Sequence, residues 1–128
     1  MSIKAAIGSD AQTLIIGPKN EDYLSVTIKS GLNQFGITTY LFSDAPQLVQ
    51  FFENLAEYWQ GWGGTKSWNS VEGDFRLVAI HDGIKHVKLT VSLIKDQGEE
   101  TQSNYVGNVL VELGGLAVAA AEVRKVLA

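Results

Sequence analysis

Residues 74–94 read DFRLVAIHDGIKHVKLTVSLI, two runs of alternating apolar residues on either side of His81-Asp82-Gly83. The pattern predicts a β-hairpin, and the type of turn decides which side chains share a face. A two-residue turn at Asp82-Gly83 would set Leu77 and Ala79 beside His86 and Lys88. A three-residue type I turn with Gly83 in the left-handed region would instead align Phe75, Leu77 and Ala79 with Val87, Leu89, Val91 and Leu93, because a one-residue slip moves every side chain to the other face. The second arrangement is expected. It buries one continuous apolar face and turns Arg76, Val78, Ile80, His86, Lys88 and Thr90 outward.

Upstream of the hairpin the apolar period lengthens from two to about 3.6. Leu48, Phe51, Phe52, Leu55 and Trp59 form one helical stripe, with Ser43 or Asp44 as N-cap, Gln47 three residues after Asp44, and Pro46 in the first turn, where its missing N–H does no harm. Gly61, Gly63 and Gly64 end this helix. Before it, three or four antiparallel strands are expected. Ile3, Ala5 and Ile7 precede Gly8-Ser9-Asp10; Leu14 to Ile16 precede a turn at Gly17-Pro18-Lys19-Asn20; Leu24, Val26 and Ile28 alternate; and Phe35 to Phe42 is β-favouring.

Beyond the hairpin, Asp96 to Asn104 is polar and acidic and reads as an exposed loop, and Tyr105 to Leu113 resumes alternation and should pair with the preceding strand. Leu116, Ala120, Val123 and Leu127 mark a C-terminal helix in an alanine-rich segment. The expected fold is α+β: an antiparallel, mostly meander sheet of about six or seven strands with two helices packed on it, in a single domain spanning residues 1–128.

The 128 residues are 45% hydrophobic and 19% charged, as in an ordinary globular domain rather than a disordered or low-complexity chain. Ten Lys plus Arg against fourteen Asp plus Glu leave a net charge of -4, which argues against a grip on a nucleic-acid backbone and favours a basic partner. The absence of cysteine excludes a disulfide framework, a cysteine zinc site and a thiol nucleophile. No apolar run approaches the roughly 20 residues that span a bilayer, and Met1 to Ala6 has no apolar leader core, so a cytoplasmic protein without a membrane partner is expected.

Three constellations carry chemistry. Trp59, Trp62 and Trp68 lie close together with Tyr58 among glycines, either as an aromatic platform for a ligand or partner or as core closure beneath an irregular loop. Gly61 to Ser67 resembles a phosphate-binding loop only superficially, since the Gly-Lys pair is missing and the segment follows a helix; its glycines read as a helix exit. His81, Asp82 and His86 could bind a metal or transfer protons, with Glu72 as a further carboxylate, yet Asp82-Gly83 is first of all turn chemistry. No Gly-x-Ser-x-Gly elbow supports a serine nucleophile.

The stretch Phe51-Phe52-x-x-Leu55-x-x-x-Trp59-x-Gly61-Trp62-x-Gly64-x-Lys66-x-Trp68-x-Ser70-x-Glu72-Gly73, followed by Leu77, His81-Asp82-Gly83, His86-Val87 and Leu89, resembles a bacterial family catalogued as a domain of unknown function, number six-two-two-eight. The resemblance implies no activity, cofactor or catalytic residue. Its small members are similar to immunity proteins of the WapI type, which neutralise bacterial toxins. The reading that follows is a non-enzymatic, immunity-like interaction domain that meets a basic protein such as a toxin, with Trp62, Lys66, Trp68, Glu72, His81, Asp82 and His86 as binding residues, and without cofactor or metal. A small-molecule or sugar-binding module using the tryptophan loop is the alternative, and a metal-assisted hydrolase built on His81, Asp82, His86 and Glu72 a second. A homo-oligomer is compatible with all three.

Overall fold

A computed structural model describes residues 3–96 and 102–128. Four strands, β1 (Ala5–Gly8), β2 (Thr13–Asn20), β3 (Tyr23–Ser30) and β4 (Asn33–Tyr40), precede helix α1 (Ala45–Glu57). Four more, β5 (Thr65–Asn69), β6 (Phe75–His81), β7 (His86–Asp96) and β8 (Gln102–Glu112), lead through a short 3-10 turn to helix α2 (Leu116–Leu127). Each set of four is its own antiparallel meander, β1-β2-β3-β4 and β5-β6-β7-β8. This corrects the expected single sheet of six or seven strands. Alternation marks a run as a strand but does not name its neighbours, and α1, inserted between β4 and β5, ends one meander and starts another.

The hairpin register is the expected one. Phe75, Leu77 and Ala79 pair with Leu93, Val91 and Leu89, all six are buried, and Gly83 has φ +80° at the tip. The α1 stripe is also as expected through Leu48, Phe51, Phe52 and Leu55. It stops there. The helix ends at Glu57, so Trp59 lies beyond it and is half-exposed rather than completing the stripe.

Two further expectations are corrected. The turn at Gly17 to Asn20 is the continuation of β2, where the pairing with β3 shifts between Ile16 and Lys19; Gly17 has φ +118° and passes so close to the Ile3 carbonyl that a Cβ would lie 2.5 Å from it. The polar stretch Asp96 to Asn104 is also less of a loop than expected, since Gln102 to Asn104 pair with Asp96 to Ile94. Its residues 97–101 lie outside the described ones.

The inner faces of both sheets and the apolar faces of both helices contribute to one buried cluster, with Leu24, Val26 and Ile28 from β3, Leu89 and Val91 from β7, Phe52 from α1 and Val123 from α2. Three contacts among the described residues show how the sheets meet. Phe35 of β4 stacks on Tyr105 of β8 with ring centres 5.8 Å apart, Gly8 of β1 lies against Val109 of β8, and Thr39 of β4 donates to Asp74 ahead of β6 at 2.6 Å. Helices α1 and α2 are joined at their surface by Arg124 and Glu53, Nε to Oε2 at 2.9 Å, a solvent-exposed pair that adds little stability.

Candidate functional site

The helix exit, the start of β5 and the tip of the β6–β7 hairpin come together at one end of the second sheet, because Thr65 pairs with Ile80. Trp62 packs edge-on against His81 with centres 5.3 Å apart. The Lys66 ammonium lies 4.7 Å from the centre of the Tyr58 ring and 5.3 Å from that of Trp62, within cation–π range. Three of the expected binding residues therefore form one cluster, together with Tyr58, which sequence reasoning placed only as a neighbour.

His81 is fully engaged by main chain. The Gly83 N–H donates to Nδ1 at 2.8 Å, which makes Nδ1 an acceptor and leaves the proton on Nε2, 2.8 Å from the Trp59 carbonyl. The imidazole ties the helix exit to the hairpin, and neither nitrogen is left for a metal or a substrate.

Asp82 is engaged in the same way. Its Oδ1 accepts from the N–H groups of Ile84 at 2.7 Å, Lys85 at 2.9 Å and His86 at 3.0 Å. The His86 N–H, then those of Ile84 and Lys85, hold the carboxyl down at about 2, against an ordinary value of 3.8. A lowered folded-state value means that Asp82 stabilises the fold above its unfolded value and that this contribution disappears as pH falls through the folded one. Between about pH 4 and about pH 2 the wild type should therefore lose stability more steeply than Asp82→Asn, as read from urea midpoints across that window. Equal slopes would show that the turn does not depend on the charge.

His86 Nδ1 lies 3.6 Å from Asp82 Oδ2. Trp68 belongs elsewhere, half-buried and edge-on to Phe75 with centres 5.4 Å apart. Glu72 is not brought to the His81 cluster at all. Antiparallel pairing of Asn69 with Arg76 sets the β5–β6 turn at the far end of β6, a strand length of roughly 20 Å away. The arrangement with Glu72 as base beside His81 and His86 is thus not assembled, and among the described residues no three His, Asp or Glu side chains gather as a metal site.

The carboxylate that matters in that turn is Asp74, which the sequence offers beside Glu72 only as a solvated charge. Asp74 Oδ1 accepts from the hydroxyls of Thr39 at 2.6 Å and Ser70 at 2.7 Å. Ser70 Oγ in turn accepts from the Phe75 N–H at 3.1 Å. Thr39 is fully buried and Ser70 nearly so, so Asp74→Ala would strand two buried hydroxyls and should lower stability by about 2–3 kcal/mol in urea unfolding. A loss below about 0.5 kcal/mol would mean that this latch between the sheets is not held in solution.

On the opposite side of the hairpin a groove of about 610 Å³ runs between the β1–β2 turn, the end of β8 and the start of α2. Leu110, Val118 and Ala119 supply apolar surface, Asp10, Glu112 and Glu122 supply carboxylates, and His86 also lines it. Among the described residues no lysine or arginine lines it, and Lys88 is the cross-strand neighbour of Leu110. Leu110 and Val118 are exposed. Alternation in β8 could turn Leu110 and Glu112 to one face, but nothing local in the sequence could bring Asp10 and Glu122 beside them.

The model of the family of unknown function DUF6228 matches residues 18–128. The chain belongs to this family. No curated protein matches it. In this DUF6228 chain the match covers the whole Trp62, Lys66 and His81 cluster and the Asp82 turn, as well as His86, Glu112 and Glu122 of the groove. Of the groove, the β1 wall, Ser9 and Asp10 lie outside it. Among the described residues no helix is long and apolar enough to cross a membrane.

Proposed function

We propose that this DUF6228 chain is a non-enzymatic, immunity-like interaction domain, active in the cytoplasm, whose partner is a basic protein such as a toxin. The observation that carries the reading is the groove beside His86, where exposed Leu110 and Val118 share the lining with the carboxylates Asp10, Glu112 and Glu122. Apolar surface beside polar and charged groups is what protein interfaces combine, and the net charge of -4 adds long-range attraction toward a positive partner. Absence of catalysis is supported by the engagement of both His81 nitrogens and of Asp82 Oδ1 in hydrogen bonds to main chain.

The test is capture from the source cells with immobilised wild-type protein beside a Glu112→Lys, Glu122→Lys variant shown by circular dichroism to be folded. A basic protein held by the wild type, lost by the variant and bound more slowly as salt rises is the expected result. Retention of the same protein by both, or binding indifferent to salt, would overturn the groove as its site.

A further inference from the structure

The outer face of the first sheet carries a second surface. Antiparallel pairing sets Tyr23 opposite Tyr40 and Ser25 opposite Thr38. The Tyr23 and Tyr40 ring centres are 5.3 Å apart, and Phe42 continues the row 6.1 Å from Tyr40. These rings are not core. Tyr23 is 52% exposed and Phe42 62%.

The backbone there is held in conformations that side chains disfavour. Glu21 at φ 57° and Phe42 at φ 51° are the two non-glycine residues with positive φ among the described ones, and they flank the same ring pair. The Leu41 N–H, donating to the Asp22 carbonyl at 2.7 Å, fastens the end of β4 to the β2–β3 turn. A bulky aromatic that is both strained and solvent-exposed contributes little to folding, and such positions gather at ligand sites.

Beside the rings lies an open cleft of about 460 Å³ lined by Pro18, Asn20, Glu21, Tyr23, Ser25 and Thr38. Its polar groups are an amide, a carboxylate and three hydroxyls, with no lysine or arginine among the lining residues. Such a set both donates and accepts hydrogen bonds but offers no counter-charge to an anion. A flat ring next to it takes the apolar C–H face of a pyranose.

We infer that this face binds a neutral oligosaccharide, with Tyr23 and Phe42 as stacking rings and Asn20, Glu21, Ser25 and Thr38 as hydrogen-bonding partners of the sugar hydroxyls. It lies at the other end of β2 from the acidic groove, so the two surfaces stand or fall separately. It is also distinct from the tryptophan loop, where Lys66 and His81 already cover Trp62.

The experiment titrates the full chain with cellohexaose, chitohexaose and maltohexaose, followed by amide chemical shifts and by calorimetry. At least one sugar should bind at about millimolar strength or better and shift the amides of Tyr23, Ser25, Thr38 and Phe42. Tyr23→Ala and Phe42→Ala should each weaken binding about tenfold, while Trp62→Ala leaves it unchanged. Both substituted rings are exposed, and unaltered circular dichroism checks that each variant is folded. No saturable shift with any of the three sugars, or binding lost in Trp62→Ala and kept in Tyr23→Ala, overturns the inference.

Discussion

Gly8→Ala is expected to lower the unfolding free energy by about 3–5 kcal/mol, enough to leave the protein largely unfolded if its stability is at the low end of the usual range. Gly8 has φ +117°, a backbone region closed to residues with a side chain. A Cβ there would also lie 2.6 Å from the Gln12 carbonyl oxygen and would overlap Val109 Cγ1. The first neighbour is backbone of the same turn and the second is core of the other sheet, so neither can step aside without moving a strand. Backbone strain and overpacking add here because they have separate causes.

Urea unfolding followed by circular dichroism measures the loss, with Gly63→Ala as control. Gly63 has open space around it and is not among the glycines with positive φ, so the control should change stability by less than about 0.5 kcal/mol. A loss below about 1 kcal/mol for Gly8→Ala would sink the claim that β1 and β8 meet at this point. Because Gly8 also lines the acidic groove, partly folded Gly8→Ala protein should lose partner capture as well.

Phe75→Ala should cost about 3–5 kcal/mol, the usual toll for emptying a fully buried aromatic site. Phe75 is 0% exposed, opposite Leu93 in the register, and its ring is the edge-on neighbour of Trp68. Neighbouring β-strands are held in place by their own ladders, so the site cannot collapse around the missing ring. The same variant should shift Trp68 emission to the red as water reaches the indole, which separates a local cavity from global unfolding. Ile84→Ala is the comparison. Ile84 is equally apolar but 77% exposed at the hairpin tip, and its removal should be nearly silent in stability. If Phe75→Ala costs less than about 1.5 kcal/mol, the face shared by Phe75, Leu77 and Ala79 is not the core face, and the hairpin register is wrong by one residue.

How much was legible in the residues varies by element. The 74–94 hairpin was readable because only one register buries a continuous apolar face, and a one-residue slip exposes all of it. The α1 stripe was readable up to Leu55 for the same kind of reason. Trp59 falls outside the stripe because the apolar period continues in the sequence after the helix has ended at Glu57. Glu72 was grouped with His81 from proximity in sequence, and the length of β6 separates them. Asp74 reads in sequence as a solvated carboxylate because its partner Thr39 is 35 residues away.

What the sequence determined by itself was local: the class of each main segment, the faces of the hairpin, the helical stripes and the Asp82-Gly83 turn. These depend on interactions within a few residues or on one repeating period. Only the tertiary structure decided that the strands divide into two sheets, that Asp10, Glu112 and Glu122 share one groove with His86, and that Tyr23, Tyr40 and Phe42 form one row. The physical reason is that burial of apolar surface is non-directional. It selects which residues must turn inward, but the partners they meet there, and the outward residues carried along beside them, follow from close packing across the whole chain.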